Sequence, residues 1–162
     1  MNRDVIDHYA HGGEKLALAV RGLTKEDLLA PPPQDEPSVG KWTIQQVVLH
    51  LADCEGVFAD RIKRLISEDN PTLLAFDENK WAAALHYNAQ SAEDAVRQVE
   101  LARKQLGTVL DQLPESAFQR SGTHSEAGKV TLEQVLKKAN DHLEHHIKFI
   151  HAKRAKMGKE MW

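Results

Sequence analysis

Apolar residues recur at helical spacing through four long stretches of the chain, and nowhere alternate over the length of a useful strand. The first stretch is read as a helix from about Asn2 to Arg21, with Val5, Ile6, Tyr9, Leu16 and Val20 on one stripe. Gly12 and Gly13 weaken its middle, since each glycine costs about 1 kcal/mol against alanine inside a helix. The second begins at a capping box, Thr43 with Gln46, with Trp42 and Val47 as a hydrophobic staple. Its stripe runs through Ile44, Val47, Val48, Leu51, Phe58, Ile62, Leu65 and Ile66 to about Ser67. The third is expected from about Ser91 to Leu113, before Pro114. The fourth repeats the grammar of the second, with Thr131 and Gln134 as the box, and continues to about Lys156.

The connections at 31–41, 68–90 and 114–130 are long. The first holds prolines that forbid a continuous helix. The second holds a short extra helix, about Glu78 to Leu85, capped by Asp77. The reading is an all-α, single-domain chain over 1–162: a four-helix bundle with long connections that allow crossovers as well as simple turns.

Nine histidines stand among the 162 residues. His50 lies on the apolar stripe of the second helix. His142 and His146 lie on that of the fourth, four residues apart and therefore one above the other. A buried ring without a partner costs about 1–3 kcal/mol. One metal ion would serve all three, and three histidines with an open position form a catalytic rather than a structural zinc arrangement. Imidazole also suits nickel, iron and copper, so these ligands do not select the metal. The alternatives are core histidines bonded to carboxylates, or a surface cluster. The depths of His50 and of the pair differ by roughly 5 Å if the two helices run antiparallel, and by about twice that if parallel.

The neighbours have plainer readings. Cys54, four residues after His50, reads as a small core thiol, with ligation the lesser alternative. Asp53, Asp141 and Glu144 could take the second N–H of a ligand histidine, but solvated helix charges account for them. His145 is expected to be exposed. His124, in the loop before the fourth helix, is a candidate to contact substrate or shuttle a proton, against a turn-stabilising role. Trp81 is read as a pin for the second connection and Trp162 as part of a frayed end. The basic run 151–156 complements the end of its helix dipole.

Composition narrows the classes. Lys+Arg is 21 against 24 for Asp+Glu, a net charge of −3, which argues against a nucleic-acid binder with a broad basic face. No apolar run approaches the roughly 18 residues of a membrane span, and the N-terminus has no secretory core. One cysteine excludes an internal disulfide. A cytoplasmic protein is expected.

Two segments carry a family resemblance. GKWTIQQVVLHLADCE (40–55) and THSEAGKVTLEQVLKKANDHLEHHIKFI (123–150) resemble the two signatures of the DinB-like, YfiT-like superfamily of bacterial metal-binding four-helix bundles. The resemblance implies an up-down-down-up topology, with 68–90 as the crossover between parallel second and third helices. It implies one divalent ion, nickel or zinc, on His50, His142 and His146. Relatives include bacillithiol S-transferases and a mycothiol-dependent maleylpyruvate isomerase. The expectation is therefore an enzyme that activates a thiol or a water. The reaction would be transfer of a low-molecular-weight thiol, as cosubstrate, to a small-molecule electrophile, or a hydrolysis. A non-catalytic metal-binding or oligomerisation domain is the alternative, and a homodimer is compatible with the resemblance.

Overall fold

The computed structural model describes residues 3–33 and 36–160. In chain order its helices are α1 (Arg3–Ala10), α2 (Gly12–Val20), α3 (Lys25–Leu29), α4 (Ile44–Ser67), α5 (Glu78–Ala84), α6 (Ala92–Asp111) and α7 (Leu132–Lys156). The strands are β1 (Thr72–Leu73), β2 (Ser121–His124) and β3 (Gly128–Thr131). The caps start the long helices where the sequence puts them. Thr43 accepts from the Gln46 amide and Gln46 accepts in return from Thr43, at 3.1 and 3.0 Å. Thr131 and Gln134 do the same at 3.2 and 2.9 Å. Asp77 caps α5 by accepting from the Asn79 and Lys80 amides.

Cross-links along the helices fix their directions. Arg3 bonds Asp111 and Gly13 packs on Glu100, so α1 and α2 run against α6. Gln98 donates to the Ala52 carbonyl and Arg103 to Glu55, so α4 and α6 run parallel. At one end Gly40, just before α4, lies on Phe149 of α7. At the other, Arg120 donates to the Leu65 carbonyl of α4 while its own carbonyl accepts from Leu132, the first residue of α7. α4 and α7 are therefore antiparallel, and the four-helix bundle is up-down-down-up.

Two expectations are corrected. The first helix is not continuous: it breaks at His11 into α1 and α2. The glycines that follow serve close packing. A Cβ on Gly12 would collide with the Arg103 guanidinium and Leu143, and one on Gly13 with the Glu100 backbone. The long connections also contain strands. β2 pairs parallel with β1 and antiparallel with β3, so the 68–90 and 114–130 links are sewn together. Strands of two to four residues are too short to show alternation. The α3 helix, with its Thr24–Asp27 box, also went unread in the sequence.

The basic run at the end of α7 does more than complement a dipole. Lys153 and Arg154 are buried; Lys153 donates to the Val39 carbonyl and Arg154 to those of Ala19 and Arg21. They tie the start of α4 and the end of α2 to α7. Asn2 and Trp162 lie outside the described residues. Among the described residues no helix is long and apolar enough to cross a membrane.

Candidate metal centre

The capped start of α4 places His50 on the inner face of the bundle, fully buried. Across from it, the i, i+4 spacing on α7 stacks His142 and His146 on one face. The antiparallel crossing brings the three rings together. Ring centroids lie 5.1 Å apart for His50 and His142, 4.7 Å for His50 and His146, and 4.6 Å for His142 and His146. The structure thus gathers all three histidines singled out by the sequence.

Two of the donor atoms stand at the spacing of ligands on one small ion. Two nitrogens each about 2.05 Å from a tetrahedral ion stand roughly 3.3 Å apart. His50 Nε2 and His142 Nε2 are 3.2 Å apart. His146 has a buried Nδ1 without a hydrogen-bond partner among the described residues, the kind of deficit that a bound ion relieves. Cys54 is closer than its core reading required. Its Sγ lies 3.5 Å from His50 Nε2 and 4.0 Å from His142 Nε2, so among the described residues His50, Cys54 and His142 are the set whose donor atoms all lie within 4.8 Å of one another, with His146 outside it.

Electrostatics leaves the rings neutral. Burial lowers the His50 pKa from 6.5 to about 4. Burial first, then the neighbouring imidazoles, lowers those of His142 and His146 to about 3. A neutral imidazole offers the lone pair that a metal needs. Burial, reinforced by nearby carboxylates, raises the Cys54 thiol well above its ordinary value.

Aromatic side chains wall the cluster. Trp42 packs edge-on against His50 at 4.7 Å and stacks along His146 at 6.3 Å. Its role is thus larger than a staple. Phe58 faces His142 at 5.9 Å. Among the described residues, Glu78 at the start of α5 brings a carboxylate to the cluster, its Oε2 3.6 Å from His50 Nε2. Sequence reasoning missed it because the crossover, rather than a helical period, delivers it. Of the carboxylates weighed from sequence, Asp53 accepts from the Tyr87 hydroxyl at 2.5 Å and Glu144 binds His8 and Lys15. Asp141 is exposed.

His145 is exposed, its ring edge against His146 and Phe149. His124 ends β2, and its Nδ1 accepts from the Glu126 and Ala127 amides, closing the β2–β3 turn. Trp81 packs on Phe76 with centroids 4.6 Å apart, holding the crossover together.

An up-down-down-up bundle with imidazoles converging from facing helices defines a class of helical proteins in which sites are built between helices. Within that class the chain belongs to the DinB superfamily, whose family model matches residues 8–150. A protein of Oceanobacillus iheyensis, named provisionally as a metal-dependent hydrolase, is 31% identical over 111 residues, covering 68% of this chain and 64% of the relative. The chain therefore spans less than two thirds of the length of that relative. YfiT of Bacillus subtilis, similarly named, is 28% identical over 145 residues, 89% of this chain and 79% of YfiT. The solved structure of YfiT, described as having an unusual four-helix bundle topology, superposes with a TM-score of 0.85. It covers 96% of this chain and 86% of YfiT at 26% identity. A mycothiol-dependent maleylpyruvate isomerase shares the fold, with a TM-score of 0.67 over 91% of this chain and 60% of its own, at 12% identity.

Proposed function

We propose that the chain is a metal-dependent enzyme whose single divalent ion, nickel or zinc, is held by His50, His142 and His146. The observation that carries this reading is the meeting of three desolvated imidazoles from two antiparallel helices, two of whose Nε2 atoms stand 3.2 Å apart. An ion held by these residues would supply Lewis acidity, which would lower the pKa of a bound water or thiol toward neutrality.

The residues of the chain divide the remaining work. The imidazoles stay neutral and fixed, because the bundle packs behind them. Trp42 and Phe58 shield the cluster from bulk water on their sides, which strengthens electrostatic interactions within it. Glu78 is half exposed and stands at the rim, where it accepts the proton given up by the attacking nucleophile. Hydrolysis of a small molecule is the leading reaction, supported by the names of relatives at 28–31% identity. Transfer of a low-molecular-weight thiol is the second reading. It rests on the same cluster, since an ion there would lower the pKa of a bound thiol as it would that of a water.

The test is elemental analysis of protein purified without an affinity tag or chelator, with His50→Ala and His142→Ala alongside. About one equivalent of nickel or zinc, lost in both variants, is expected. Panels of esters, and of thiols with electrophiles, then separate hydrolysis from transfer by metal-dependent turnover. A wild type that takes up no metal on reconstitution overturns the reading. One that binds metal and turns over neither panel is a binding domain.

A further inference from the structure

We propose that Arg61 anchors a carboxylate in the cavity beside the histidine cluster, so that the substrate of this site is a small organic acid. The inference deepens the enzymatic reading above, but the anchor itself is a property of the cavity and stands without the ion. The cavity holds about 890 Å³ and opens between α4 and the crossover. Its size suits a small organic ligand. Val57, Leu74, Phe76 and Trp81 give it apolar walls.

Arg61 is the cation that this wall leaves unsatisfied. Its Nε is buried with no hydrogen-bond partner among the described residues. Its Nη2 donates to the Leu74 carbonyl at 2.6 Å, which fixes the guanidinium in place. Of the acidic groups near it, Asp60 pairs with Arg64 at 2.8 Å and Asp53 accepts from Tyr87, while Glu126 favours its charge without an ion pair to it. Arg64, the other arginine of the wall, is spent on Asp60 and Glu68. A half-buried guanidinium held by one neutral carbonyl retains unfilled donors, and its planar fork matches a carboxylate. Burial pulls its pKa below the ordinary arginine value, a penalty that a bound anion relieves.

Position links this anchor to the cluster. His50, Cys54, Val57 and Arg61 follow one face of α4 at helical spacing. The Phe58 ring lies 5.9 Å from the Arg61 guanidinium carbon and 5.9 Å from the His142 ring. Those two 5.9 Å steps bound the distance from guanidinium to imidazole at about 12 Å. None of the histidines lines the cavity itself; the Phe58 ring is the group that stands 5.9 Å from both the guanidinium carbon and the cluster.

The probe is phenylacetate, compared with its neutral isostere phenylacetamide, titrated calorimetrically into the metal-free full chain. The wild type is expected to bind the acid at least tenfold more tightly than the amide. Arg61→Gln should remove that preference, and Arg61→Lys should keep part of it. Circular dichroism confirms that each variant is folded. His142→Ala, which removes a proposed metal ligand, should retain the preference; failure of the metal reading therefore leaves this result untouched. No preference for the acid in the wild type overturns the proposal, as does a full preference surviving in Arg61→Gln.

Discussion

The pH dependence of metal affinity distinguishes two candidate ligand sets, three histidines or His50, Cys54 and His142. Consider nickel or zinc binding to the folded chain at pH 7 and at pH 5. Protons compete with the metal for each ligand according to that ligand's own pKa. Three imidazoles at the ordinary value of 6.5 would lose roughly 10⁴-fold in apparent affinity across that interval. The three here are lowered to about 4, 3 and 3, because burial disfavours their charged forms. They remain neutral to pH 5, and the same acidification should cost less than about 1.2-fold.

A thiolate ligand behaves differently. Burial raises the Cys54 pKa, so its thiol is protonated throughout the interval. Ligation by sulfur would release one proton and lower the affinity tenfold per pH unit, about a hundredfold in all. Competition with a chromophoric chelator gives the affinity, and titration in buffers of different ionisation enthalpy counts the protons. Linkage sets the lower pH limit. The unfolded chain takes up protons on these histidines near 6.5 and the folded chain only near 4 or below. The stability that neutral rings provide is thus full above 6.5 and declines as pH falls toward 4, by at most about 1.4 kcal/mol per unit per ring. Circular dichroism at pH 5 therefore accompanies the measurement. A flat profile supports three histidines, and a hundredfold fall would put Cys54 among the ligands. A fall near 10⁴ would refute the desolvated cluster, since the rings would then titrate as exposed ones do.

Other consequences concern the scaffold. Glu55 and Arg103 are each 2% exposed and bond at 2.6 Å, with the Tyr9 hydroxyl on the same carboxylate. Arg103→Met should cost about 3–5 kcal/mol in urea unfolding, and adding Glu55→Leu should recover part of the loss; a single-variant cost under about 1 kcal/mol would contradict the pairing. Gly13→Ala should destabilise by about 1–3 kcal/mol despite the better helix propensity of alanine, because its methyl meets the Glu100 backbone. Thr131→Ala should cost about 1 kcal/mol of stability through the lost cap, with metal content unchanged by elemental analysis.

Much of this was legible in the residues because it is local. Capping boxes at Thr43 and Thr131 mark helix starts through side chains three residues apart, and the structure places both as read. The His50, His142 and His146 cluster was legible because a helical period alone fixes which way a side chain faces. What was not legible is delivered over long separations. Glu78 reaches His50 through a crossover whose path no periodicity encodes. The three-stranded sheet pairs residues about 50 positions apart. Gly12 and Gly13 read locally as helix weakeners, and only the partner helix shows why nothing larger fits there. Lys153 and Arg154 read as charge that complements the helix dipole until the carbonyls they reach are known.

The same division explains why the site opens where it does. Parallel α4 and α6 cannot be joined by a short turn, so the chain must travel back along the bundle between them. That return path carries β1, Phe76, Glu78 and Trp81 past the face of α4 that bears His50, Cys54, Val57 and Arg61. Tyr87 then fastens its far end, donating to Asp53 while its carbonyl accepts from Gln45. The four helices fix the imidazoles rigidly. The crossover supplies the carboxylate and the cavity wall, and it is free to vary without disturbing the cluster. Differences in reaction among bundles of this topology should therefore trace to the α4–α6 crossover more than to the histidines. Exchanging residues 72–85 between this chain and a relative should carry substrate preference with the exchanged segment and leave metal stoichiometry at one; preference that stays with the helices instead would refute that division of labour.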